Sequence, residues 1–174
     1  MSMPLSEHGV TVHFPDNNYF QFGGCNAYNG LGGHGVKEMD ICWLDKANNV
    51  LWAVELKAFD NPANAKHIKN DLKTIDIVEY WINELYKKTV HTLCMLETNR
   101  SNTKSCLVAG ISDTTIFKIV HLINVIPGQE SYLTFMKDEL TVRLKPLLAI
   151  FRVDSLAVVP YNTAKGGALV SWIV

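Results

Sequence analysis

Short apolar runs bounded by turn residues occupy the first third of the chain and predict β-strands. Val10 to Phe14 and Tyr19 to Phe22 are two such runs, separated by a Pro-Asp-Asn-Asn turn. Val36 to Asp45 and Val50 to Lys57 are two longer runs, and Lys-Ala-Asn-Asn lies between them. Because Asn tolerates the left-handed turn conformation, this second pair is predicted to form a β-hairpin.

A long amphipathic helix is predicted to follow the hairpin. Asn61 can cap the free backbone amides of its first turn, and Pro62 suits the first helical position. Apolar residues then recur in steps of three and four, which places them on one buried stripe. They are Ala65, Ile68, Leu72, Ile75, Val78, Ile82 and Leu85.

The second half of the chain mixes strand and helix patterns. Strand material is expected at Val90 to Leu96, Cys106 to Gly110 and Thr115 to Ile126, with a helix also open for the last, and a closing hairpin at Leu156 to Pro160 and Ala168 to Ile173. Ser131 to Lys145 has helical spacing, and Pro146 should end or kink that helix. The order of elements predicts a single domain over residues 1–174 of the α/β (α+β) class, with a mixed central β-sheet flanked by helices.

Composition indicates a globular chain without an overall charge for binding nucleic acid. Hydrophobic residues make up 48% and charged residues 19%, and the formal net charge is −1, so any DNA contact requires a local basic patch. Residues 23–35 contain six glycines and are predicted to form a mobile loop. The Gly-Lys-Ser/Thr ending of a P-loop is missing there, which disfavours a phosphate cradle.

The cysteines and the apolar runs bear on the cellular setting. Cys25, Cys42, Cys94 and Cys106 show no Cys-x-x-Cys spacing, so reduced thiols and a cytoplasmic location are expected. No apolar run is long enough to span a bilayer, and the first ten residues contain no apolar signal region.

The hairpin pairs two acids. A turn centred between Ala47 and Asn48 pairs residues whose numbers sum to 95, so Asp40 faces Glu55 at a Cβ separation of about 4.5–5.5 Å. Lys57 lies two residues further on and therefore shares the face of Glu55. Since apolar residues line both faces, the two carboxylates need a proton or a cation, and Mg²⁺ prefers such oxygen ligands.

Asp40, fourteen intervening residues and then Glu55-Leu56-Lys57 resemble the PD-(D/E)XK motif of restriction endonuclease-like enzymes. The resemblance covers roughly residues 36–97 and implies a restriction endonuclease-like core. It also implies that Asp40, Glu55 and the backbone carbonyl of Leu56 hold Mg²⁺ or Mn²⁺. Lys57 would then position the attacking water.

Two features depart from the family pattern. Met39 stands where the motif has Pro. Many members also supply an acid from a helix before the motif, whereas here the upstream acids are Glu7, Asp16 and Glu38, none on a predicted helix. The hairpin register places Glu38 opposite Lys57, as its expected partner.

The resemblance implies a metal-dependent nuclease that hydrolyses DNA phosphodiester bonds. Lys66 and Lys73 on the long helix, together with His34 in the glycine-rich segment, are the candidate substrate contacts, although a lysine stripe can equally be a solvated helix face. A homodimer would supply two sites for cutting both strands. Two alternatives stay open: a catalytically inactive nuclease-like module that binds nucleic acid or regulates, and an unrelated interaction domain whose carboxylates are merely surface residues.

Overall fold

The fold is centred on a mixed sheet of five strands. The computed structural model describes residues 3–59, 74–97, 105–128, 130–167 and 169–174. The sheet order is β3 (Tyr19–Phe20), β4 (Ile41–Asp45), β5 (Val50–Ala58), β6 (Ile116–Asn124) and β7 (Val153–Pro160). Strands β3 to β5 are antiparallel, whereas β5, β6 and β7 are parallel. A separate two-stranded ribbon consists of β1 (Leu5–Glu7) and β2 (Val10–Val12).

Helices provide the connections that parallel strands require. The described residues form four: α1 (Asn26–Asn29), α2 (Thr74–Glu97), α3 (Ser131–Ile150) and α4 (Tyr161–Ala164). Helix α2 lies between β5 and β6 in the chain, and α3 lies between β6 and β7. The predicted α/β class with a mixed central sheet is confirmed. Asn61 and Pro62, the predicted helix start, lie outside the described residues.

The predicted register of the hairpin is confirmed. In every pair between β4 and β5, from Ile41 with Val54 to Asp45 with Val50, the residue numbers sum to 95. Asn49 in the turn has a φ of 53°, the left-handed conformation expected of an Asn at that position. The register continues toward Asp40 and Glu55, so their side chains point to the same face of the sheet.

Apolar layers cover both faces of the sheet. On one face, Leu51 and Ala53 of β5 belong to a buried cluster with Leu93 of α2, and a neighbouring cluster joins α2, β6 and α3. On the other face, Val54 and Leu56 pack in a cluster with β2 residues and the C-terminal Trp172 and Ile173. Any polar residue in the middle of β5 is therefore enclosed, which is unfavourable unless it has a partner.

Two predicted strands are wrong. Val90 to Leu96 belongs to α2, whose buried positions continue past Leu85 at helical spacing through Thr89 and Leu93. The buried polar residues Thr89 and Thr92 interrupt the apolar pattern. The helix predicted from that pattern therefore ends before the real helix does. Cys106 to Gly110 forms a short helical turn followed by an irregular segment instead of a strand.

The C-terminal half differs in two more places. Pro146 does not end α3, which continues to Ile150, so a helix end is excluded of the two predicted effects of this proline. The carbonyl that loses its partner there belongs to Val142, and because that residue is 70% exposed, water can solvate the carbonyl. The predicted closing hairpin does not form, since β7 pairs in parallel with β6 and Ile173 makes an antiparallel bridge to Val12.

A disulfide bond joins two of the four cysteines. Cys25 and Cys106 are bonded with their Cα atoms 5.7 Å apart, so the prediction of reduced thiols is wrong for this pair. Cys42 is a buried free thiol and Cys94 an exposed one. The glycine-rich segment, expected as an irregular loop, contains short helical turns, and Cys25 within it forms the disulfide. Among the described residues, no helix has both the length and the apolarity to cross a membrane.

A buried acid and lysine cluster as the candidate active site

Asp40 lies at the entrance to β4 and is bound to the backbone of the neighbouring strand. Its Oδ2 accepts a hydrogen bond from the amide of Leu56 at 2.6 Å. The carboxylate thereby extends the β4–β5 ladder by one interaction beyond the last backbone pair. This contact orients Asp40 toward the segment of β5 that contains Glu55 and Lys57.

Glu55 and Asp40 converge on one ammonium group. Lys88 of α2 donates from Nζ to Asp40 Oδ1 at 3.1 Å and to Glu55 Oε1 at 2.7 Å. The two acceptor oxygens can therefore be no farther apart than the sum of these distances. The side chains of Asp40 and Glu55 are only 8% and 1% exposed, compared with 20% for Lys88. The predicted meeting of two acids at the edge of the core is confirmed, and a lysine separates them.

The charges of the three groups do not cancel. Burial, and secondarily the charge of Asp40, raises the pKa of Glu55 to about 8 although Lys88 opposes the shift. Burial acts to lower the pKa of Lys88, but the charges of Glu55 and Asp40 outweigh it and the pKa rises. One ammonium can balance only one carboxylate in a dry site, so the other takes up a proton near neutral pH.

Among the described residues, two buried polar atoms at the cluster have no hydrogen-bond partner: Glu55 Oε2 and His121 Nδ1. His121 of β6 pairs with Glu55 in the parallel ladder and is fully buried. Its Nε2 lies 3.3 Å from the hydroxyl of Thr89. Burial, together with the charge of Lys88, lowers the pKa of His121 to about 3, so its ring is neutral. A free carboxylate oxygen in such a place has spare capacity for a ligand.

Lys57 lies on the same side of the sheet but does not contact the acids. Its ammonium lies over the ring of Trp81 in α2, 5.2 Å from the ring centroid. Within the described part of the chain it forms no ion pair. The contact with Trp81 is a cation–π interaction of modest strength, which leaves the flexible lysine able to turn toward a ligand.

Two of the three candidate upstream acids lie near the pair. Burial first, and then the charge of Asp40, raises the pKa of Glu7, whereas the charge of Lys88 lowers it. Burial also raises the pKa of Glu38, which Lys88 again opposes. Glu38 accepts a hydrogen bond from the hydroxyl of Tyr28, so its predicted pairing with Lys57 is wrong. Asp16 is used elsewhere, because it accepts a hydrogen bond from Trp43 Nε1 at 2.9 Å.

Of the remaining predicted residues, the structure describes His34 and Leu56. Lys66 and Lys73 lie outside the described residues. His34 is exposed, and no contact within the described ranges joins it to the acids. Leu56 turns its side chain to the opposite face of the sheet, while its amide binds Asp40.

The chemistry of the cluster fits a hydrated divalent cation. The described ranges contain no group of three His, Cys, Asp or Glu residues arranged to hold a metal ion. Mg²⁺, however, commonly uses one or two carboxylates and keeps several waters. Asp40 and Glu55 supply two carboxylates, and one buried oxygen of Glu55 has no hydrogen-bond partner in the part of the chain that the structure describes.

Lys88 is the residue that sequence reasoning missed. It lies three positions after Leu85, on the side of α2 that faces the sheet. If the predicted helix is continued past residue 90, Lys88 falls on its buried side, and a buried lysine indicates a paired charge.

A scan of protein-family models, a search of the curated proteins and a search of the solved structures each find no match to this chain.

Proposed function

We propose that this protein is a metal-dependent nuclease of the PD-(D/E)XK type that hydrolyses DNA phosphodiester bonds. One observation carries the proposal: Asp40 and Glu55 converge at a buried point, with Lys57 two residues further along the same face. The context supports it, since the two strands form an antiparallel hairpin and a helix then leads to a parallel strand. A restriction endonuclease-like core has the same order of elements around its motif.

The ligands follow from the carboxylates. Asp40 and Glu55 would hold Mg²⁺ or Mn²⁺, with the backbone carbonyl of Leu56 as a further ligand. A bound divalent cation supplies Lewis-acid stabilisation of phosphoryl oxygens and a more acidic water. The chain itself contributes a buried pair of carboxyl groups, and fixed charges in such a site act more strongly on a reacting phosphate than they would in water.

Lys57 supplies a mobile positive charge. When substrate binds, the Lys57 ammonium would leave the Trp81 ring and contact a phosphate oxygen. This would favour substrate binding, because a hydrogen-bonded charge pair is stronger than a cation–π contact. From that position it would orient the attacking water or stabilise the pentacovalent phosphate. Lys66, Lys73 and His34 remain the proposed contacts to the DNA backbone.

The test is Mg²⁺- or Mn²⁺-dependent cleavage of plasmid DNA by the wild-type chain and by Asp40→Asn, Glu55→Gln and Lys57→Met. Each change should lower the cleavage rate by about a hundredfold or more, because each removes a charge at the reacting centre. Thermal unfolding of each variant shows whether it is folded. Folded variants that cleave at the wild-type rate would contradict the proposal.

Two matched controls are present in the same sheet. Asp45→Asn removes an acid from the other end of the hairpin, where Asp45 accepts hydrogen bonds from Asn48. Lys118→Met removes a lysine that lies 5.3 Å from the centroid of the Trp52 ring, a contact almost identical to that of Lys57. Both variants should cleave at the wild-type rate.

A second candidate function is a nuclease-like module that binds nucleic acid or regulates without catalysis. The position of Lys88 favours it, since its ammonium joins both acids and offsets part of their charge. This module would give a salt-sensitive gel shift with DNA that survives Asp40→Asn, and no cleavage with any divalent cation. An unrelated interaction domain would give neither.

The proposed homodimer is tested separately. Sedimentation of the wild-type chain with and without duplex DNA should show a dimer if both strands are cut in one binding event. A monomer that only nicks plasmid DNA would contradict this part of the proposal.

A further inference from the structure

We propose that the Lys88 ammonium occupies the place between Asp40 and Glu55 that a divalent cation would take. A divalent cation then binds the two acids only when this ammonium moves away. This inference rests on the metal site of the proposed function. It adds a competition within the chain that controls how tightly the metal is held.

The geometry makes the two cations mutually exclusive. Lys88 Nζ contacts one oxygen of each acid, at 3.1 and 2.7 Å, and thus lies between the two carboxylates that a bridging cation would share. A divalent cation bound to both acids would place like charges within a few ångströms of each other in a buried site. The ammonium must therefore move before both carboxylates can turn to a metal.

The three side chains differ in their freedom to move. Asp40 is held by the amide of Leu56, and Glu55 is enclosed in the middle of β5. Lys88 is the most exposed of the three and carries its charge on a flexible four-carbon stem. The lysine is therefore the member that moves, and the carboxylates stay as a preformed pair.

Two further carboxyl groups, those of Glu7 and Glu38, can accept the displaced Lys88 ammonium. Glu7 is exposed and Glu38 is half-buried, and the charges of Lys88 and of Asp40 act on both carboxyl groups. Either carboxylate can accept the ammonium once it leaves the pair, which limits the cost of displacement. The same movement would leave Glu55 Oε2, which has no partner within the described ranges, free to bind the incoming cation.

Mn²⁺ binding measures the competition directly, by calorimetry and by loss of the free-ion paramagnetic resonance signal. Lys88→Met keeps the length of the side chain without its charge and should bind Mn²⁺ at least about tenfold more tightly than wild type, within the usual range for coupled binding events. Lys87→Met is the matched control, because Lys87 is the adjacent residue and its ion pair, at 3.6 Å, is with Glu84 and not with either acid of the pair. It should bind Mn²⁺ with wild-type affinity.

The outcomes separate this inference from the proposed function. Equal Mn²⁺ affinity in wild type and Lys88→Met, lost in both on Asp40→Asn, would overturn the role of Lys88 and leave the metal site standing. Absence of Mn²⁺ binding in all the variants would overturn both. Tighter binding in Lys88→Met that Asp40→Asn abolishes supports both.

A measurement on the wild-type chain avoids the risk that Lys88→Met fails to fold. Amine acetylation, followed by mass spectrometry of the peptide that contains Lys87 and Lys88, reports the exposure of each ammonium. Saturating Mn²⁺ should raise the acetylation rate of Lys88 severalfold and leave that of Lys87 unchanged. An unaltered Lys88 rate at saturating Mn²⁺ would overturn the inference.

Discussion

Acid should destabilise this protein through His121, whose ring is fully buried between β6 and α2. Burial, and then the charge of Lys88, lowers the pKa of the ring from 6.5 to about 3. In the unfolded chain the same ring regains its ordinary pKa near 6.5. Between these two pKa values, the His121 ring is protonated in the unfolded chain and neutral in the folded protein.

The size of the effect follows from linkage. Because the folded-state pKa is depressed, the contribution of His121 is complete above about pH 6.5 and is lost as the pH falls toward 3. The loss approaches about 1.4 kcal/mol for each pH unit, or about 2–3 kcal/mol at pH 4.5. Glu55 acts in the opposite direction, since its folded-state pKa is raised to about 8 and its contribution is lost as the pH rises toward that value.

Comparison of two chains isolates His121 from Glu55. Urea unfolding of wild type and His121→Leu at pH 7 and pH 4.5 gives the change in unfolding free energy for each chain, and the carboxylates titrate in both. Wild type should lose about 2–3 kcal/mol more than the variant over this interval. His34→Leu, which removes an exposed ring, should keep the wild-type pH dependence. Identical pH dependence in wild type and His121→Leu would refute the reasoning.

Three further predictions concern the framework of the site. Leu140→Ala, in the fully buried interface of α3 with α2 and β6, should lower the free energy of unfolding by about 2–5 kcal/mol, measured in urea. Loss of the Cys25–Cys106 bond, by Cys25→Ser with Cys106→Ser, should cost about 2–4 kcal/mol, because the bond spans 81 residues; Cys94→Ser should be neutral. Gly110→Ala should cost more than about 1 kcal/mol, since Gly110 has a φ of 111° and an added Cβ would crowd a core leucine; a wild-type melting temperature would contradict this.

The β4–β5 hairpin and the meeting of its two acids are predicted correctly from local sequence alone. The Asn-rich turn and the apolar runs on either side determine the pairing of β4 with β5, because a slip by one residue would expose the buried set. The meeting of Asp40 and Glu55 follows from that register. It was predictable from about twenty residues without knowledge of any other part of the chain.

Helix α2 shows where local pattern fails. Its apolar stripe was visible up to Leu85, but Thr89, Thr92 and Lys88 replace apolar residues on its buried side. These polar groups are tolerated because the sheet offers each a partner: His121 for Thr89, Met39 for Thr92 and the acid pair for Lys88. Because those partners lie on distant strands, the apolar periodicity of the helix sequence cannot show that these polar residues are buried.

Local patterns in the sequence are enough to predict the α/β class, the central hairpin and the closeness of its two acids, since these depend on side chains that alternate along neighbouring strands. The lysine that lies between those acids comes from a distant helix and is visible only in the folded structure. Lys88 follows Glu55 by 33 residues, and Cys25 lies 81 residues from Cys106. Contacts over such separations are selected by the packing of helices on the sheet, where a buried charge is stable only beside its partner.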